Sequence, residues 1–169
     1  MGGIPATATI IACNESENIS HCIESVGFFD EILVIDSGST DNTVAVAEKA
    51  GARVIHNPWS GFSRQKQFGF DEAAHDWVFS IDADERVTPR LKQSLLELFA
   101  GPSQSPQYNG YLINRCNHFM GQALRHGEGY PDWLLRLSNR TEARWSEDPV
   151  HEKIQLLSLI HISEPTRRS

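Results

Sequence analysis

The sequence predicts an α/β domain: a mostly parallel sheet with helices on both faces. Two observations carry that prediction. From residue 6 to residue 101, short β-rich apolar runs alternate with segments whose apolar residues recur at helical spacing, the signature of strand–helix–strand units. Each of the clearest apolar runs also ends in a polar cluster, as expected of an open sheet that presents the carboxyl ends of its strands to a ligand.

The elements follow in order. Ala6 to Ala12 is β-rich and runs into Cys13-Asn14-Glu15. Ile19, Cys22, Ile23 and Val26 keep the i, i+3, i+4, i+7 spacing of a helix with one buried face. Glu31 to Ile35 is nearly all apolar, the mark of a strand covered on both sides, and it stops at Asp36. Ser37-Gly38-Ser39-Thr40-Asp41 is a turn with several caps for a helix over 42–50, which Gly51 ends. Arg53 to His56 reads as a short third strand and Phe62 to Ala74 as a helix. Trp77 to Ile81 is a fourth strand, leading into Asp82-Ala83-Asp84. Thr88 then caps a helix with Pro89 at its first position and a stripe of Leu91, Leu95, Leu98 and Phe99, ended by Gly101-Pro102. Beyond the loop at 103–106, the segments 108–115, 133–137 and 143–153 read as strands.

Composition narrows the class. A chain of 169 residues with 40% hydrophobic and 22% charged residues suits one soluble domain. A formal net charge of −7 argues against nucleic acid as a partner, because a surface that binds phosphate backbone carries a basic excess. It leaves room for a phosphorylated small molecule whose charge a divalent metal offsets. Three cysteines without a CxxC pair read as reduced thiols in a cytoplasmic protein, with Cys22 a core residue. No apolar run approaches a membrane span, and the N-terminus does not resemble a signal peptide. The string from Leu157 to Arg167 resembles a translated transposon-library adapter. Residues 1–156 are therefore read as the functional domain, truncated at its C-terminal end, and 157–169 as a non-native tail.

The polar strand ends carry the chemistry. Asn14 and Glu15, Asp36, and Asp82 with Asp84 come from segments far apart in sequence yet share one expected edge of the sheet. In an extended stretch, residues i and i+2 point the same way, so Asp82 and Asp84 can face one cation. Hard carboxylate oxygens suit Mg²⁺ or Mn²⁺, which would grip a diphosphate. Solvated acids near a helix start are the other reading of this pair; its place at the end of a buried strand favours the metal. Asp36 either caps the following turn or, with Ser37, receives a nucleotide, since a carboxylate accepts hydrogen bonds from a base or ribose. Lys66 is a candidate for phosphate or a solvated cation, as are Arg64, Arg125 and His126. Trp133 is core or a sugar platform. His151 is a third metal ligand, an acceptor contact or a packed edge histidine.

Taken together, Thr9-Ile10-Ile11-Ala12-Cys13-Asn14-Glu15, Val34 to Thr43 and Ser80 to Arg86 resemble the inverting glycosyltransferases of family 2. Asn57 to Phe62 with Gln65-Lys66, His126-Gly127, Tyr130 to Trp133 with Arg136-Leu137, and Val150-His151-Glu152 resemble its lipopolysaccharide inner-core branch. The resemblance spans Ala6 to about Lys153. It implies a GT-A, Rossmann-like fold. It implies transfer of a sugar, glucose or a heptose, from a nucleotide-diphosphate donor to a lipid-linked saccharide, at the inner face of the bacterial membrane. Asn14 and Glu15 would line the nucleotide pocket, Asp36 would read base or ribose, and Asp82 and Asp84 would hold the metal. Asp132 would be the catalytic base, with Glu128 second; Pro131 stands where many relatives carry Glu.

A domain that binds the nucleotide without transferring sugar is the alternative. A nucleotidyltransferase would carry a Gly-rich basic stretch after the first strand, where Asn14-Glu15-Ser16-Glu17 stands instead.

Overall fold

Alternating side chains along the first strand set the layering. In the computed structural model, residues 3–101, 105–116, 118–119, 122–123, 131–148 and 152–157 are described. They form, in chain order, β1 (Ile4–Ala12), α1 (Ile19–Ser25), β2 (Phe29–Asp36), α2 (Thr43–Lys49), β3 (Arg53–His56), α3 (Phe62–Glu72), β4 (Trp77–Asp82), α4 (Pro89–Phe99) and β5 (Gly110–Arg115). Two-residue β6 (His118–Phe119) and β7 (Gln122–Ala123), then β8 (Asp132–Asn139), β9 (Ala143–Trp145) and β10 (Ile154–Leu156), complete them.

The main sheet runs β3-β2-β1-β4-β8-β5. Its first four strands are mutually parallel, and β8 lies antiparallel to both β4 and β5. The chain steps outward from β1 to β3, then returns across β1 to lay down β4. Strand order therefore reverses at β1, the point at which an open sheet forms a crevice beyond its carboxyl edge.

Ala6, Ala8 and Ile10 of β1 are fully buried and share one core with Ile19, Cys22 and Ile23 of α1, Ala47 of α2, and Leu95 and Phe99 of α4. The opposite face is covered by α3. Gly69 sits so close to the sheet that a Cβ there would lie 3.4 Å from Ile35 Cγ1 and 3.5 Å from Thr9 Cβ. Farther along α3, Phe70 packs edge-on against Trp145 at 6.0 Å, in a second core with Val78, Ala143 and Ile154. Helices thus cover both faces, as the alternating pattern predicts. The cap at Thr88 also forms: its hydroxyl accepts from Leu91 N at 3.2 Å, with Pro89 next to it.

One expected element differs. The segment 143–153 is not a continuous strand; β9 pairs antiparallel with β10. Next to the paired strands, Ser146 N donates to Lys153 O at 2.8 Å and Lys153 N donates to Ser146 Oγ at 3.1 Å. Between the two strands the sequence runs Ser146-Glu147-Asp148-Pro149, a polar stretch ending in a strand-breaking residue. Among the described residues no helix is long and apolar enough to cross a membrane.

The seat of α3 on the sheet predicts opposite outcomes at one position. Gly69→Ala meets ordinary contact distances and gains helix propensity of up to about 1 kcal/mol, so urea unfolding should show it unchanged or slightly stabilised. Gly69→Leu overfills the interface and should cost about 1–3 kcal/mol or more.

Candidate active site

Parallel pairing on both sides of β1 brings acids from distant segments together. Asp36 at the end of β2 is in register with Ala12, and Asp82 at the end of β4 is in register with Ile11. The two lie on either side of the same strand end. Beyond that end is a cavity of about 410 Å³ lined by Ile11, Ala12, Cys13, Glu15, Ser37, Trp59, Phe62, Asp82, Ala83 and Asp84. Glu15, Ser37, Asp82 and Asp84, all expected site residues from the sequence, are gathered here by the fold.

One side of the cavity is built by two loops that clasp each other. Asn14 adopts a left-handed backbone, φ 55°, which asparagine tolerates better than most residues. Its carboxamide oxygen accepts from Thr40 N at 2.8 Å and Asp41 N at 3.3 Å, while Asn14 N donates to Ser39 Oγ at 2.9 Å. Glu15 N donates to Thr43 Oγ1 at 2.8 Å. Asp41 takes Ser16 N at 3.2 Å and Thr43 N at 2.9 Å. Asp36 is buried, and its carboxylate accepts Gly38 N at 2.9 Å and Ser39 N at 3.1 Å, with His56 Nδ1 3.5 Å away. Burial alone would raise the Asp36 pKa, but the bonds from Ser39 and Gly38 and the nearby His56 carry it below the ordinary carboxylate value. The capping reading of Asp36 is thus realised in the geometry. Asn14 likewise spends its carbonyl oxygen on the facing loop.

The other side is a chain of alternating charges. Lys66 Nζ lies 3.3 Å from Asp82 Oδ1 and 3.6 Å from Glu152 Oε1, and stands over the Trp145 ring at 4.9 Å. The nearly buried Arg136 donates to Ser80 O at 3.3 Å, to Asp82 Oδ2 at 3.5 Å and to Glu85 Oε1 at 2.8 Å. Arg115 reaches Glu85 at 3.7 Å and donates Nε and Nη2 to Asp132 Oδ2 at 2.9 and 2.8 Å. Burial would raise the Asp82 pKa; the charges of Lys66 and Arg136 overcome it and lower it. Behind this edge, Cys22 Sγ lies 3.5 Å from Asp82 O. Burial first, then the charges of Glu85, Asp82 and Asp84, push its thiol up to about 12, so it stays protonated and packs as a core residue, as expected.

Among the described residues no group of three or more His, Cys, Asp and Glu side chains converges as a ready cage for a metal. The residues nevertheless suit one: Asp82 and Asp84 border the same cavity, Asp84 is exposed, and two carboxylates completed by diphosphate oxygens form an all-oxygen set for Mg²⁺ or Mn²⁺. Asp132 stands at the same edge, while Trp133, next along β8, is half-buried and in register with Asn114. Glu128 and His151 lie outside the described residues. Arg136, Arg115 and Gln65 belong to the site without having been singled out as site residues. Gln65 and Arg136 stand in the motifs that carry the family resemblance, but their spacing does not mark a role, for their partners are distant in sequence.

Comparison with known proteins agrees with this geometry. Residues 7–163 match the family model described as Glycosyl transferase family 2. The lipopolysaccharide core biosynthesis glycosyltransferase LpsC of Rhizobium meliloti is 36% identical over 157 residues, covering 89% of this chain and 57% of its own length. An uncharacterised glycosyltransferase of Rickettsia conorii is 44% identical over 108 residues, covering 63% of this chain and 38% of its own. The chain spans about half the length of the curated relatives it matches. Among solved structures, S. aureus TarS residues 1–349 superpose with a TM-score of 0.55 at 16% identity, over 75% of this chain and 39% of that one. The UDP complex of M. tuberculosis glucosyl-3-phosphoglycerate synthase does so with a TM-score of 0.52 at 25% identity, over 68% of this chain and 46% of that one. The fold is the α/β GT-A arrangement that the sequence motifs imply.

The Asp36 cap predicts an acid-sensitive contribution to stability. Asp36→Ala strips acceptors from two backbone N–H groups and should cost about 1–3 kcal/mol at pH 7 in urea unfolding. A carboxylate whose pKa is lowered by folding contributes fully above its unfolded value and less as pH falls through the folded one. The gap between the two proteins should therefore narrow below about pH 4.

Proposed function

The chain belongs to glycosyl transferase family 2, and from that premise we propose that its carboxyl-edge cavity takes a nucleotide-diphosphate sugar and passes the sugar, with inversion, to a lipid-linked saccharide acceptor. The observation that carries the proposal is the convergence of Ser37, Glu15, Asp82 and Asp84 on one cavity where strand order reverses. The similarity to LpsC favours a lipopolysaccharide core acceptor. A hexose or heptose donor, and action in the cytoplasm at the inner membrane face, are what the resemblance of the inner-core motifs implies.

In this reading the clasped loops carrying Glu15 and Ser37 receive the nucleoside, in keeping with the UDP bound by the mycobacterial synthase. Asp82 and Asp84 would hold Mg²⁺ or Mn²⁺, which supplies charge to stabilise the departing diphosphate. Lys66 and Arg136 keep Asp82 ionised and oriented and add positive charge where the leaving group develops its negative charge. Asp132 takes the proton of the acceptor hydroxyl as that oxygen attacks the anomeric carbon. Arg115 holds one oxygen of that carboxylate in place.

Calorimetry with UDP and Mn²⁺, beside a transfer assay with nucleotide-activated hexoses and heptoses, tests the proposal. Mn²⁺ should tighten UDP binding by at least roughly tenfold, and Asp84→Asn should abolish that gain. UDP binding indifferent to both the metal and the substitution would remove the metal role. Tight binding with no transfer to any acceptor would favour the nucleotide-binding domain.

A further inference from the structure

Folding leaves few large apolar side chains in water. Among the described residues three are exposed: Trp59, Phe62 and Leu157, at 52%, 51% and 60%. Two of them touch. The Trp59 and Phe62 rings meet edge to face with centroids 4.8 Å apart, and both line the 410 Å³ cavity whose remaining walls are strand ends and acids. By contrast Trp77, Trp145, Phe29, Phe70, Phe79 and Phe99 are all under 10% exposed, so core packing does not account for the pair. Exposed aromatics facing a polar, preformed crevice mark a ligand surface.

The pair is also held in place. Gln65 is fully buried, donates to Asn57 O at 2.7 Å and to Ser37 Oγ at 3.1 Å, and accepts from Asn57 Nδ2 at 2.8 Å. Asn57 N donates to Asp36 O at 2.9 Å. Gly61, at φ 102°, makes the sharp entry into α3 that only glycine adopts readily and lets Phe62 fold back against Trp59. The end of the β2 loop, the exit from β3 and the first turn of α3 are thus one hydrogen-bonded unit with two rings on its surface.

We propose that Trp59 and Phe62 are the stacking surface for the nucleobase of the donor, an inference that rests on the donor reading above. Position selects the base over the sugar or the diphosphate. The order β3-β2-β1-β4 places the segment leaving β3 on one side of β1 and Asp82 on the other. A diphosphate at Asp82 and Asp84 directs the base toward Ser37 and the aromatic pair. Every base has a π-face, so the platform supplies affinity and leaves base identity to polar groups nearby.

The test compares UDP with inorganic pyrophosphate, which has no base, both with Mn²⁺. Trp59→Ala with Phe62→Ala should weaken UDP roughly ten- to hundredfold and leave pyrophosphate unchanged. Trp59→Phe should restore most UDP affinity while losing the quenching of tryptophan emission that UDP causes in the unsubstituted protein. Equal losses for UDP and pyrophosphate, or no loss for either, would overturn the platform while the donor reading stands. Failure of the unsubstituted protein to bind either probe would sink both.

Discussion

Everything at the functional edge depends on β1 pairing in parallel with a neighbour on each side. Backbone hydrogen bonds set Ala12 opposite Asp36 and Ile11 opposite Asp82. A slip of one residue on either side would turn the acid to the other face of the sheet. Register is therefore the constraint from which the site follows, and the even-numbered residues of β1 enforce it. Ala6, Ala8 and Ile10 have no exposure to lose, so a slipped strand would place Thr7 and Thr9 in the apolar core.

The two ends of the cavity are stabilised by different physics. At the β2 end, neutral and singly charged hydrogen bonds join loops within a few residues of the strands, and each buried donor finds an acceptor. At the β4 end, charges alternate from Glu152 through Lys66, Asp82, Arg136, Glu85 and Arg115 to Asp132. A partly buried chain of this kind is held by mutual neutralisation, and removing one member leaves its neighbours unpaired. A doubly negative ligand with a divalent cation enters such a chain with little net change in charge.

What was legible in the sequence was local. Thr88-Pro89, the apolar run at β2 and the short third strand announce themselves within a handful of residues, and each stands where periodicity and capping put it. Asp82 and Asp84 do not share one extended stretch, because β4 ends at Asp82 and Asp84 lies in the turn that follows. The pairing of β9 with β10 was missed although Ser146-Glu147-Asp148-Pro149 interrupts the apolar pattern between them. Gln65 was hidden because a glutamine between Arg64 and Lys66 resembles a solvated helix face, and only the burial of α3 against the sheet turns it inward. Arg136 sits on β8, which pairs antiparallel with β4, and Arg115 on β5, one strand farther out; no spacing rule reports which acid a strand 51 residues away will meet.

That separation has a consequence for how the molecule is assembled. The bonds from Asp36 to Gly38 and Ser39 close over two and three residues, whereas those from Arg136 to Glu85 and Ser80 span 51 and 56. Closing a long loop costs entropy that a tight turn avoids. The β2 end of the cavity can thus organise as soon as its own strands emerge, and the β4 end waits for β8 to dock. Any fragment ending before β8 would retain the first half and keep Asp82 and Glu85 facing each other with no guanidinium between them.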